Sequence, residues 1–483
     1  MRAPGAILLV SCYELGHQPL SLASPLALLR EAGYDPAAVD TSVSALSDEM
    51  IQAARLVAIS VPMHTALRLG TRIAERVRAV NPTAHICFYG LYAALNAGYL
   101  LRAFGDSTIG GEYESALLAL ARAIEDGEPA TVPGVRTRES HAAPVLARLP
   151  FVTPERETLP SARRYAHLLV GARAVPAGYV EASRGCLHTC RHCPITPVYG
   201  GRFFVVPREV VLADIRQQVK RGVRHITFGD PDFMNGPKHS MAILRAMHEE
   251  FPKVTFDATI KVEHILERRE LFPELASLGC IFVVSAVESL GDVVLRHLKK
   301  DHTRSDVAEA LGILDAAGIP MRPTFVAFTP WTTAADYLDV LDFIAAHDLV
   351  ANVDPVQYTI RLLVPPGSAL LEEADAASWL DELDETAFSY RWAHPDSRLD
   401  RLQREVAALV ERAVAQEQPV EETFAHVYAL TETALDIRGH ARDKALSVVT
   451  PRPDRRPIPR LSESWFCCAE PTSDQLEPLA LKF

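Results

Sequence analysis

Cysteine is scarce: the 483 residues contain 8. So long a chain with so few cannot be a small disulfide-stapled scaffold. Long apolar runs are missing too. No stretch reaches the roughly 18 to 20 residues of a membrane helix. The first residues lack the charged, apolar and small-residue order of a secretory signal, since Ile7–Val10 is too short for its apolar part. An excess of positive charge is also absent. Lysine and arginine total 49 against 61 aspartates and glutamates, a formal net charge of −12. Binding to a phosphate backbone is driven by cationic neutralisation, so this balance argues against a nucleic-acid partner. What is present is 48% hydrophobic and 23% charged, as in an ordinary globular protein. At about 150 residues per domain the length predicts about three domains. The expected setting is the reducing cytoplasm, where clustered cysteines point to metal or redox chemistry.

The front of the chain alternates strand and helix. Apolar runs at Ala6–Val10, Leu56–Ser60, His85–Tyr89 and Ser107–Ile109 are separated by helical spacing over Leu20–Ala32, Ala66–Val80 and Ser115–Ala123. This pattern predicts a Rossmann-like, doubly wound parallel sheet over residues 1–125. Residues 126–177 are rich in proline and read as a linker. Alternation then returns over 178–370. Strands are expected at Tyr179–Ala182, His225–Phe228, Thr255–Thr259, Ile281–Ser285, Pro323–Phe328 and Val356–Leu363. Six such units predict a partial (β/α)6 barrel of the TIM type, with chemistry at the C-terminal ends of its strands. Residues 371–483 read as mostly helical. Leu399, Leu402, Val406, Leu409 and Val410 lie on one side of a helix there.

The cysteines are unevenly placed. Cys186, Cys190 and Cys193 follow the first barrel strand, and Cys467 and Cys468 are adjacent near the end. Three thiolates in one loop can wrap one face of a [4Fe–4S] cubane. Four irons and three ligands leave one iron open to a small molecule with an amine and a carboxylate. The competing reading is a closed zinc site with His188 or His192 as fourth ligand. Arg322, beside the fifth strand, is a candidate bidentate partner for a carboxylate.

The Cys-x3-Cys-x2-Cys spacing after a first barrel strand resembles the signature of the radical S-adenosylmethionine (SAM) superfamily. His192 stands where that family usually has an aromatic residue. The resemblance implies that Cys186, Cys190 and Cys193 hold the cluster and that SAM chelates its open iron. One electron from the cluster then breaks a carbon–sulfur bond of the sulfonium. The segment Phe228-Gly229-Asp230-Pro231-Asp232-Phe233 is similar to the motif that receives the SAM amino group, which implies Asp230 or Asp232 for that role. Ser285-Ala-Val-Glu288-Ser289 looks like the ribose-binding segment, implying Ser285 and Glu288. On the bland readings, these segments are a β-turn and a helix N-cap.

A Rossmann-like front ahead of such a barrel resembles the cobalamin-binding class of the superfamily. Asp106, Gly110, Gly111 and Glu112 are similar to the late glycine–glutamate segment of that domain. The front lacks the Asp-x-His-x-x-Gly motif, and neither His17 nor His64 has its companions. Cobalamin, on this resemblance, is bound without a protein histidine or not at all. The ending Cys467-Cys468-Ala469-Glu470-Pro471 looks like the tail of a radical SAM group whose second position can be selenocysteine. That resemblance implies reactive thiols at Cys467 and Cys468. Vicinal thiolates suit soft centres such as trivalent arsenic. A weaker likeness is to the radical SAM enzyme of arsinothricin formation, which transfers the 3-amino-3-carboxypropyl group of SAM to arsenic.

These readings converge on a radical SAM transferase that moves a SAM-derived carbon group onto a small-molecule substrate. It would need a reductant such as flavodoxin or ferredoxin and no membrane. The alternatives are a cobalamin-dependent methyltransferase acting on an unactivated carbon or phosphorus, and a non-catalytic iron–sulfur sensor or electron carrier.

Overall fold

The computed structural model describes residues 1–130, 132–147, 150–436 and 458–463. Strands β1 (Ile7–Ser11), β2 (Ala37–Asp40), β3 (Leu56–Ser60), β4 (His85–Tyr89), β5 (Ser107–Ile109) and β6 (Val135–Arg136) form the front sheet. Their order is β2-β1-β3-β4-β5-β6. The first five run parallel and β6 is antiparallel. A parallel strand is covered on both faces, so its sequence is apolar throughout rather than alternating. Both β1 and β3 are buried along their whole length. Helices Leu20–Glu31, His64–Val80 and Glu114–Asp126 cover the sheet. The order 2-1-3-4-5 is the flavodoxin-like doubly wound arrangement. Its direction of winding switches between β1 and β3, so a crevice opens beyond their C-terminal ends. The sequence pattern does not predict β2 or β6. The first is a half-exposed edge strand reading Ala-Ala-Val-Asp, and the second has two residues.

The second sheet runs β7 (His167–Val170), β8 (Arg173–Val180), β11 (His225–Phe228), β12 (Thr255–Thr259), β13 (Cys280–Glu288), β14 (Met321–Phe325) and β17 (Arg460–Leu461). The strand order is β14-β13-β12-β11-β8-β7-β17. The five strands from β8 to β14 are parallel and curl into a half-barrel. Antiparallel β7 and β17 extend it on the other side. Strands β9 (Ser183–Gly185) and β10 (Phe203–Val205) form a separate ladder, as do β15 (Leu380–Asp384) and β16 (Ser389–Trp392). The predicted sixth barrel strand at Val356–Leu363 is not one. Pro355–Tyr358 is a 3-10 turn, and the chain touches β14's extension through a single bridge between Phe328 and Arg361. An apolar run records burial, and buried helix and strand cannot be told apart from that alone.

The predicted linker carries β6, β7 and the start of β8. It also carries Arg156, a fully buried arginine. The guanidinium donates to both oxygens of Asp214 (3.1 and 2.9 Å), to the Tyr179 carbonyl (2.8 Å) and to the Gln18 carbonyl (3.0 Å). One side chain thus ties the front layer to the barrel. Behind the barrel, helices Ser397–Ala415 and Val420–Ala434 pack on its core, and Leu399, Leu402, Val406 and Val410 are buried as the spacing predicts. The β15–β16 hairpin interrupts that helical region. Cys467 and Cys468 lie outside the described residues.

Replacing Arg156 would leave the buried Asp214 carboxylate without its counter-charge. Arg156→Met is expected to cost about 3–5 kcal/mol, the usual penalty for breaking a buried pair from one side. Denaturant unfolding monitors this, and a loss under about 1 kcal/mol would contradict the tie.

Candidate active site

Residues 186–202 leave the ladder at Gly185 and rejoin it at Phe203. The excursion is closed at its base by the Cys186 amide, which donates to the Arg202 carbonyl (3.0 Å). Gly185 sits at φ 76°, and a side chain there would lie 2.5 Å from the Arg202 carbonyl oxygen and 2.5 Å from the Tyr199 ring. Inside the loop, the Cys193 amide (3.2 Å) and the Thr196 hydroxyl (2.8 Å) both donate to the Cys190 carbonyl. The Asn235 amide nitrogen lies 3.7 Å from the Cys186 sulfur. The result brings the thiols of Cys186, Cys190 and Cys193, none of them in a disulfide, onto one cavity of about 310 Å³. Burial pushes the Cys186 thiol up, so a cationic partner is needed to hold it as a thiolate.

The cavity lies where two topological rules coincide. On one side it is lined by Glu14 and Leu15 after β1, Pro62 and Met63 after β3, and Leu91 and Tyr92 after β4. That is the switch-point crevice of the front sheet. On the other side it is lined by residues at the C-terminal ends of the barrel strands, which is where barrel chemistry sits. These are Gly229 and Asp232 beyond β11, Thr259 and Lys261 at β12, Ala286 and Glu288 in β13, and Thr324 in β14.

Two buried carboxylates of this cavity, Glu288 and Asp232, are met by cationic or imidazole partners. Glu288 accepts from His192 Nε2 (3.2 Å) and faces the ammonium of Lys300 (3.5 Å). Burial alone would raise the Glu288 carboxyl. Lys300 and then His192 override it and bring it down to about 2. Burial works against the Lys300 ammonium, but Glu288, Cys190 and Cys193 hold its pKa above the ordinary value. Glu288 adopts φ 66° where the β13–β14 register shifts. A bulge of this kind re-aims one side chain at the cost of local strain.

Asp232 is the second centre. Its Oδ2 lies 3.1 Å from His188 Nε2 and 2.6 Å from His264 Nδ1. Burial would raise this carboxyl, yet the two imidazoles keep it well below the usual range. The ligand atoms of His188, Asp232 and His264 fall within 4.8 Å of one another. Lys261 nevertheless donates to His188 Nδ1 (3.2 Å). That bond leaves the imidazole proton on Nε2, facing Asp232, so the group reads as a hydrogen-bond chain rather than a cation cage.

Of the two aspartates after β11, Asp232 faces the cavity. Asp230 does not. Its carboxylate accepts from the Ala182 amide (2.9 Å) and the Ser183 hydroxyl (2.6 Å), and burial pushes it up to about 7. It joins two strand ends. Ser285 is also off the cavity. With Ala286 and Glu288 facing inward, alternation turns Ser285 to the helical layer, where Val283 and Val287 are buried. Arg322 points inward but one layer below Thr324. It pairs with Asp354 (2.7 Å), lies over the Phe282 ring (5.9 Å) and donates to the Pro459 carbonyl (3.5 Å). For the zinc reading, both ring nitrogens of His188 are engaged, by Asp232 and Lys261, whereas His192 gives Nε2 to Glu288 and keeps a buried Nδ1 with no hydrogen-bond partner among the described residues. Sequence reasoning missed Lys300 and Lys261. Lys300 sits in a Lys-Lys pair that looks like surface, whereas Lys261 stands at a strand's C-terminal end, where the barrel rule could have flagged it.

The Glu288 carboxyl falls from an ordinary 4.5 to about 2. Its stabilisation is therefore complete above pH 4.5 and lost as the pH falls toward 2. Lys300→Met should flatten the stability–pH curve in that window, as read by urea unfolding from pH 6 to 3. An equal slope in both proteins would contradict the pairing.

Comparison with known proteins agrees with this geometry. The Radical SAM superfamily profile matches residues 180–344. A Methanocaldococcus jannaschii protein, provisionally named a methylthiotransferase, is 23% identical over 193 residues, or 38% of this chain and 42% of that protein. The chain thus spans less than half the length of this curated relative. The structure resembles the cobalamin-dependent SAM radical enzyme OxsB, solved with aqua-cobalamin and SAM. The TM-score is 0.68 at 15% identity, over 84% of this chain and 67% of that one. It also resembles the radical SAM methyltransferase TsrM from Kitasatospora setae, solved with tryptophan and a SAM analogue. There the TM-score is 0.66 at 16% identity, over 92% of this chain and 98% of that one. At such identities the likeness is one of fold. Residues 180–344, which carry the cysteine loop, Asp232 and Glu288, are a radical SAM domain.

Proposed function

We propose that Cys186, Cys190 and Cys193 hold a [4Fe–4S] cluster, that SAM binds at its open iron, and that a SAM-derived carbon group is transferred. The observation that carries this reading is the meeting of three thiols, Asp232 and Glu288 on one cavity. When bound, the cluster supplies the electron that breaks a carbon–sulfur bond of the sulfonium. Asp232, kept ionised by His188 and His264, accepts from the SAM amine. Glu288, held by Lys300 and His192, has lone pairs left for the ribose hydroxyls. Lys300 replaces Arg322 as the cation in reach of the SAM carboxylate. Leu15, Met63 and Tyr92 supply an apolar wall that excludes water from the reacting groups.

The substrate in this reading is a soft, thiophilic centre such as trivalent arsenic, held by Cys467 and Cys468. Glu463 supports it. Its side chain packs against Gly16, next to the cavity residues Glu14 and Leu15. Cys467 is four positions further along the sequence, a span of at most about 14 Å in an extended chain. Anaerobic reconstitution, reduction with SAM and identification of the product test the reaction. Methylthioadenosine is expected, since it accompanies aminocarboxypropyl transfer. 5′-Deoxyadenosine would instead mean hydrogen abstraction, and S-adenosylhomocysteine methyl transfer. Cys467→Ala and Cys468→Ala are expected to abolish turnover of the true substrate, and full turnover in both would end the tail hypothesis.

A second reading, cobalamin-dependent methyl transfer, is favoured by the extent of the likeness to OxsB and TsrM, which includes the front layer. The donor set limits it. His64 Nε2 is engaged by the Ala387 carbonyl (2.7 Å), and His17 packs on Tyr179 with ring centroids 4.9 Å apart. A corrinoid would therefore meet Leu15, Met63 and Tyr92 rather than an axial histidine. Uptake of a corrinoid by the purified chain, seen in its visible spectrum, decides this reading.

A further inference from the structure

The Gly110-Gly111-Glu112 segment does not line the cavity. Its glycines serve packing. A side chain on Gly110 would meet the Ala94 Cβ at 2.5 Å, and one on Gly111, at φ 72°, would meet the Val145 carbonyl oxygen at 2.3 Å. Glu112 is different. It is 0% exposed and turned toward the barrel. Its Oε1 accepts from the Tyr199 hydroxyl (2.9 Å), and its Oε2 accepts from Arg184 Nη1 (3.3 Å). Arg184 lies two residues before Cys186, and Tyr199 six after Cys193.

The same guanidinium binds Glu114 (2.6 Å) and Glu181 (2.9 Å). Ser24 donates to Glu114 as well (2.7 Å), which fixes that carboxylate to the front layer. The Phe151 and Tyr113 rings lie 5.3 and 5.8 Å from Arg184 and help exclude water. Helix Leu91–Leu95 of the front layer packs against Ile195–Tyr199, the short helix inside the cysteine excursion. The barrel holds the middle of that excursion through Asp232 on His188, Glu288 on His192 and the Leu298 carbonyl on the Arg191 amide, and its two ends meet in the β9–β10 ladder. Glu112 adds a buried, charge-assisted bond near each end, where the front layer rather than the barrel supplies the partner.

We propose that Glu112 is a positioning residue that fixes both ends of the cysteine excursion through Arg184 and Tyr199, so that the front layer is a working part of the cluster site. This rests on the cluster reading above. It gives the glycine–glutamate segment a task unrelated to any ligand of the front sheet.

Two variants test it. Tyr199→Phe removes one hydroxyl and keeps the ring against Gly185, and Glu112→Gln keeps an acceptor for Tyr199 but removes one of the three carboxylates around Arg184. In the metal-free chain, amide hydrogen exchange over residues 186–202 is expected to quicken about tenfold in Tyr199→Phe, in line with the loss of one bond to a charged group. In the reconstituted protein, both variants should release iron to a ferrous chelator several-fold faster and show a broadened reduced-cluster EPR signal. Exchange and iron release at wild-type rates in both variants would overturn the clamp. Failure of the wild-type chain to take up iron would overturn the cluster reading alone, because the exchange experiment judges the clamp without metal.

Discussion

Three thiols, several carboxylates and two lysines share one water-poor cavity, and the design follows from the need to pair them. An unpaired buried charge costs several kcal/mol or titrates away. Glu288 is therefore met by Lys300 and His192, and Asp232 by His188 and His264. Each histidine of the cysteine loop gives one ring nitrogen to one of these carboxylates, and Lys261 engages the other nitrogen of His188. The three thiols of the loop face the same cavity, outside any disulfide.

That arrangement needs two sheets. The barrel's C-terminal ends supply the polar groups, and the switch-point crevice of the front sheet supplies an apolar lid of Leu15, Pro62, Met63 and Tyr92. Arg156 and Arg184 hold the two layers together through buried guanidinium groups. Each is satisfied on several sides, which makes the contact geometrically specific rather than merely adhesive. The front layer is then part of the cavity wall.

Much of this was legible in the sequence. Doubly covered parallel strands advertise themselves as apolar runs, so β1, β3, β4 and β5 stood out, as did the barrel strands through β14. The cysteine spacing named the loop, and the position of Asp232 and Glu288 at strand ends named their cavity. What failed did so for physical reasons. Val356–Leu363 is apolar because it is buried, but only Arg361 bridges to the sheet. Ser285 and Asp230 belong to the right motifs, yet side-chain alternation and a local hydrogen bond turn them away. Arg322 has the right face and the wrong layer. Lys300 and Glu112 act through partners distant in sequence, and no local pattern marks such pairs.

The account stands or falls on a cluster with one open iron that meets SAM in this cavity. The most direct measurement is the EPR spectrum of the anaerobically reconstituted, reduced chain, with about four irons bound as a three-cysteine [4Fe–4S] site requires, recorded with and without SAM. The account predicts a clear change in the g-values on adding SAM, absent in Asp232→Asn at the same SAM concentration. A spectrum that SAM leaves unchanged in the wild-type chain would contradict it.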